Sequence, residues 1–147
     1  MKLEEINKTA WELAAEYVEW NEVKKRFQSL SNRRLEMIFH DISSGLSLND
    51  ISQQLQSYSP LDKEKKYKVL EFWEKLSERL KVVDSEENKI VLVKFLRWNV
   101  ELLVTCWNDP QLLRKIMDAE NISKEVQEKI FQRLKHREGG SKNGRRK

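Results

Sequence analysis

The stretch KVVDSEENKIVLVKFLRWNVELLVTCW, from Lys81 to Trp107, decides the fold. Two readings compete for its first half. Val82-Val83 and Ile90 to Val93 flank a polar segment from Asp84 to Asn88, which is the pattern of a short β-hairpin with a loose turn over residues 81–93. The same residues also start a helix, with Asp84 as the cap and Glu87 closing a capping box. Beyond Val93 the apolar residues continue through Phe95, Leu96, Trp98, Val100, Leu102, Leu103, Val104, Cys106 and Trp107. Continuity over that length favours a helix, apolar nearly all round and therefore central.

Upstream, Ser59-Pro60 with Asp62 in the first turn starts a helix that runs to about Leu80, with Val69, Leu70, Phe72, Trp73, Leu76 and Leu80 as its apolar face. Before it, Leu35, Ile38, Phe39 and Ile42 repeat at helical spacing, and Gly45 is placed to stop that helix in a left-handed turn. Ser47 and Asp50 make a capping-box pair for a short helix that buries Leu48, Ile51 and Leu55. At the N-terminal end, Leu3, Ile6, Ala10, Leu13, Tyr17, Trp20 and Phe27 follow steps of three and four, predicting one helix over that whole segment. Trp11, Ala14 and Val18 widen this seam into a second face, so the helix must pack on more than one neighbour, in the same chain or another. Downstream, Asn108-Asp109-Pro110 restarts the chain into a helix carrying Leu112, Leu113, Ile116 and Met117. Asn121 ends it, and Ser123 caps a last helix with Val126, Ile130, Phe131 and Leu134.

The expected architecture is all-α, a single-domain bundle of six or seven helices over residues 1–137, followed by a flexible basic tail over 138–147. Composition agrees: of 147 residues only four are Gly and two Pro, while five Trp, five Phe and three Tyr supply large core side chains. The one cysteine, Cys106, excludes an internal disulfide and reads as a small buried hydrophobe. With no apolar stretch of membrane-span length and no apolar signal core in MKLEEINK, a cytoplasmic protein without membrane contact is expected.

Charge supplies the functional clue. The segment from Lys135 to Lys147 holds six cations (Lys135, Arg137, Lys142, Arg145, Arg146 and Lys147) against Glu138 alone, a net of +5. The whole chain is +4, so residues 1–134 sum to −1. A near-neutral body with a glycine-broken cationic tail expects an anionic partner, most often nucleic acid. Lys63, Lys65, Lys66 and Lys68 crowd the first turns of the helix begun at Pro60, and Arg33 and Arg34 those of the helix begun near Ser31. Exposed cations there oppose the helix dipole by about 0.3–1 kcal/mol each, an arrangement explained if these helix starts face phosphates. Lys24, Lys25 and Arg26 lie where the end of the first helix is expected, a place the dipole favours.

Catalytic chemistry finds no support. The two histidines, His40 and His136, and Cys106 are far apart and make no metal-ligand pattern, and neither a glycine-rich phosphate loop nor a G-x-S-x-G elbow occurs. The chain is expected not to be an enzyme and to need no cofactor or metal.

The wording GLSLNDISQQL, Gly45 to Leu55, resembles the second helix of the helix-turn-helix in bacterial DNA-binding regulators, with its glycine, capping serine, buried isoleucine and closing leucine. The resemblance spans residues 35–80. It implies that Lys63 to Lys68 and Tyr67 lie near the groove-facing end of a recognition helix. A hairpin over 81–93 would extend the likeness to a winged helix. The third helix is several residues too long for that pattern, and the turn from Gln56 to Pro60 is looser than usual. At the level of class, a small helical protein with tryptophans and basic patches is similar to the small helical-bundle subunits of CRISPR–Cas effector complexes. That likeness implies backbone contact with DNA or RNA among the protein subunits of an antiviral defence complex. A third reading, from another class, is a protein–protein adaptor or oligomeric scaffold that uses Trp11, Val18 and Trp20 on the first helix as partner-binding residues.

Overall fold

The computed structural model describes residues 2–17, 20–21, 26–27, 32–57 and 63–133. Among them are seven helices: α1 (Leu3–Tyr17), α2 (Asn32–Ser43), α3 (Leu48–Ser57), α4 (Lys63–Lys81), α5 (Glu86–Cys106), α6 (Pro110–Ala119) and α7 (124–133). The all-α bundle expected from the sequence is what the chain forms. Two dipeptides, β1 (Trp20–Asn21) and β2 (Arg26–Phe27), pair antiparallel, Trp20 opposite Phe27 and Asn21 opposite Arg26.

The deciding stretch is a helix, and the hairpin reading of 81–93 is overturned. The cap lies one residue later than expected: Ser85 is extended, and its Oγ accepts the Asn88 backbone N–H at 3.1 Å. Asp84 instead accepts from the Asn88 side chain at 2.6 Å. Glu86 and Glu87 in the first turn complement the helix dipole. At 21 residues α5 is the longest helix among the described residues, and α1, α2 and α6 pack around it. Leu92, Val93, Leu96, Val100, Leu103 and Cys106 are buried on it, each buried Leu contributing about 1.5–3 kcal/mol. The outer side is exposed at Lys94, Trp98, Glu101 and Thr105, so α5 is central without being apolar all round.

The first helix is shorter than its seam predicts. It ends at Tyr17, and the chain at Trp20 and Phe27 is extended rather than helical. The run Tyr17-Val18-Glu19-Trp20-Asn21 explains the stop, because aromatic, β-branched and Asn residues are weaker helix formers than the Ala-rich turns before them and the first two suit strands. Arg26 is therefore on a strand, not at a helix end. Within α1, Ile6, Ala10, Trp11, Leu13, Ala14 and Ala15 are all buried, so both apolar faces find neighbours inside the chain, chiefly α5 and α4. Leu3, expected in the seam, is 61% exposed.

Local signals set the other boundaries. Gly45 has φ 90° and closes α2 with two bonds, its own N–H to the Ile42 carbonyl and that of Leu46 to Asp41, each 3.0 Å. Asn121, φ 60°, closes α6 in the same way, its N–H bonding Asp118 and that of Ile122 bonding Met117, again at 3.0 Å each. Ser47 and Asp50 form the reciprocal box, the Asp50 N–H reaching Ser47 Oγ at 3.1 Å and the Ser47 N–H reaching Asp50 Oδ2 at 3.3 Å. Asp109 caps α6 ahead of Pro110, and Ser123 caps α7 through the Val126 N–H. The start expected at Ser59-Pro60 lies outside the described residues.

Candidate nucleic-acid interface

Two helices, α2 and α4, carry the expected cations that can be placed, and α3 lies between them in the chain. Gly45 lets α2 turn into α3 across Ser44–Ser47, and α3 packs in turn on α4. The joint between α3 and α4 is the buried Trp73, whose indole N–H donates to Ser52 Oγ at 2.7 Å. Ile51 and Leu55 of α3 and Val69 and Phe72 of α4 are buried in the same core. A short helix is thus held between two longer ones, and their N-terminal ends bear the basic residues.

Arg33, in the first turn of α2, is exposed. Arg34 is half-buried, with Nη1 3.9 Å from Met37 Sδ. That first turn contains no acidic residue, so nothing within it offsets the two guanidinium charges against the dipole. On α4, Lys66 and Lys68 are half-buried, while Tyr67 between them is 70% exposed. Lys63 and Lys65 belong to the opening of α4, and their side chains lie outside the described residues, as do Lys135, Arg137, Lys142, Arg145, Arg146 and Lys147. The structure therefore places Arg33 with Arg34 and Lys66 with Lys68, on two helices that both pack against α3.

Sequence reasoning missed a second basic edge. Arg97 of α5 reaches Glu36 of α2 at 3.8 Å, both about half-exposed, which joins the outer sides of these helices. One turn from Arg97 stands Lys94, its ammonium 5.4 Å from the ring centroid of Trp98. The signal was present as the i, i+4 spacing of Lys94 and Trp98, but an apolar run hides which side faces out.

The adaptor residues fare differently. Trp11 is fully buried, its indole N–H donating to Glu120 Oε1 at 3.1 Å, so it is a core residue in this fold and not a surface anchor. Val18 is outside the described residues, and Trp20 can be described only by its backbone pairing with Phe27.

Little here suits covalent or metal chemistry. Cys106 is buried, and burial, with the Asp109 charge as a lesser cause, raises its thiol pKa. Among the described residues no group of three or more His, Cys, Asp or Glu side chains is arranged to hold a metal ion. A cleft of about 320 Å³ between α1 and α7 is lined by charges of both signs, Lys8, Glu12, Glu16, Glu125 and Lys129. No helix among the described residues is long and apolar enough to cross a membrane. Comparison with protein-family models, with curated proteins and with solved structures finds no match to this chain.

Proposed function

We propose that this chain is a non-catalytic nucleic-acid-binding protein that contacts phosphates through Arg33, Arg34, the Lys63–Lys68 cluster and the basic C-terminal tail. The observation that carries the reading is the first turn of α2, which holds an exposed Arg33 and the adjacent Arg34 and no acidic residue of its own. Helix-terminal N–H groups and guanidinium ions favour a phosphate there together, whereas stability alone favours Asp or Glu. The α2–α3–α4 succession, with Gly45 at the turn and an exposed Tyr67 early on the third helix, supports a helix-turn-helix-like mode of binding DNA. Contact with RNA or DNA as a small subunit of a CRISPR-type nucleoprotein complex uses the same cations and the same chemistry. The adaptor alternative loses its anchor at Trp11, which the core has taken.

The test is fluorescence-anisotropy binding of full-length protein to labelled DNA and RNA, single- and double-stranded, across a salt series. Log K is expected to fall linearly with log salt, and each phosphate contact removed should lower the slope by roughly 0.9 on duplex DNA and 0.7 on single strands. Arg33→Gln with Arg34→Gln, and separately neutralisation of Lys142, Arg145, Arg146 and Lys147, apportion the contacts between body and tail. Absence of binding to every probe at low salt would defeat the proposal.

A further inference from the structure

We infer that the outer face of α5 around Trp98 is a base-stacking platform for single-stranded nucleic acid, framed by Lys94, Arg97 and Arg33. The inference rests on the nucleic-acid reading above and specifies its ligand.

Trp98 is 52% exposed in the middle of a helix whose opposite side is buried at Leu96, Asn99, Val100 and Leu103. An indole on a surface loop can move away from water. This one is fixed by the core beneath its own backbone, so a large apolar face is held toward solvent. Val91, Phe95 and Leu102, all half-buried, continue it as a ridge at positions 91, 95, 98 and 102.

The surroundings of that ridge choose the ligand. Lys94 lies over the ring at 5.4 Å. The 3.8 Å Arg97–Glu36 pair brings the outer side of α2 alongside, and on that side Arg33 stands one turn before Glu36 and Met37 is 46% exposed. Arg33, Lys94 and Arg97 thus stand on these outer sides beside Glu36 and Glu101. Protein interfaces deplete lysine and concentrate apolar area at their centres, whereas this ridge is narrow and ringed by charge. A single strand matches both parts: a base offers a π face to the indole, and its phosphates meet the cations. A duplex keeps its base faces inside the stack, where a rigid helical ridge cannot reach them.

The experiment compares wild type, Trp98→Leu and Trp98→Phe for binding to a fluorescein-labelled oligothymidine and to a duplex of equal length, with circular dichroism confirming that each variant is folded. The oligothymidine affinity is expected to fall roughly five- to a hundred-fold in Trp98→Leu, to recover in large part in Trp98→Phe, and the duplex affinity to change by less than about two-fold. Unchanged oligothymidine binding in a folded Trp98→Leu overturns the platform and leaves the phosphate-contact proposal standing. Loss of both probes by an equal factor also overturns it, since the effect would then not be stacking. No binding of either probe by wild type removes both proposals. In that case a Trp98-dependent dimer in analytical ultracentrifugation would reassign the ridge to protein contact.

Discussion

Polar groups hold the two sides of this bundle differently. At the α1–α6–α7 end, beside exposed ion pairs such as Arg114–Glu128 and Lys129–Glu16, a buried or half-buried set is bonded together: Glu120 accepts from Trp11 and from Asn7, and Asn7 accepts in turn from the buried Asn99 of α5 at 3.2 Å. Gln127, fully buried, donates to Asp118 at 2.8 Å and to the Ile122 carbonyl at 2.9 Å and accepts from Arg114 at 3.2 Å. Around α2, α3 and α4 the charged contacts lie at the rim, Arg79 with Glu12 at 3.5 Å and Arg97 with Glu36 at 3.8 Å, each partner more than a third exposed. Exposed pairs contribute about 0–1 kcal/mol, whereas stripping one partner from a buried polar group costs about 1–3 kcal/mol. One end of the molecule therefore specifies the packing, and the other carries cations in places that packing alone does not favour.

The comparison breaks most readily at Trp11. Trp11→Ala is expected to destabilise by about 3–5 kcal/mol, from the cavity it leaves, and denaturant unfolding measures it directly. A loss below about 1 kcal/mol would mean that the α1 end is not the specifying one. Glu120→Ala keeps the apolar core but leaves Trp11 and Asn7 without their acceptor, for an expected loss of about 1–3 kcal/mol. Ser52→Ala removes the hydroxyl that accepts from Trp73 at the α3–α4 joint, for about 1 kcal/mol, and native-state hydrogen exchange should show faster opening in α3 than in α1.

The smallest effect is one of pH. The Gln127 amide first, and then Lys124, hold the Asp118 carboxyl below the ordinary 3.8. A folded-state pKa below the unfolded one contributes stability that is fully present above the ordinary value and lost as pH falls through it toward the lowered one. Asp118→Asn is accordingly expected to lower stability slightly at pH above 3.8 and to converge with wild type as pH falls below it, which flattens the acid limb. Carbon-detected titration of the Asp118 carboxyl should give a midpoint under that value.

Much of this organisation is written locally. Gly45, the Ser47–Asp50 box, Asp109-Pro110, Asn121 and Ser123 each act on backbone within a few residues, so their outcome could be read without knowing the fold. The end of α1 at Tyr17 escaped because a seam of apolar residues continues past it, and spacing alone does not register a fall in helix propensity. The Glu120 cluster joins residues more than a hundred positions apart, which no local pattern announces. For the candidate site, Arg33, Arg34, Lys66 and Lys68 were legible as charge at helix starts. Trp98 was not, because Trp11 and Trp98 look alike in sequence. Only the packing of α1, α2 and α6 around α5 decides that one is enclosed and the other left in water.

The guanidinium of Arg133 donates to the backbone carbonyls of Ala15 and Glu16, in the last turn of α1. Those carbonyls would otherwise lack helical partners, and a cation is the group that best serves them. The consequence concerns synthesis rather than architecture. During synthesis α1 leaves the ribosome well before α7. The end of α1 must then wait for a residue 118 positions later before it is closed. A nascent chain arrested short of Arg133 should hold an α1 that frays from Tyr17 backwards, and release of α7 should act as the step that locks it.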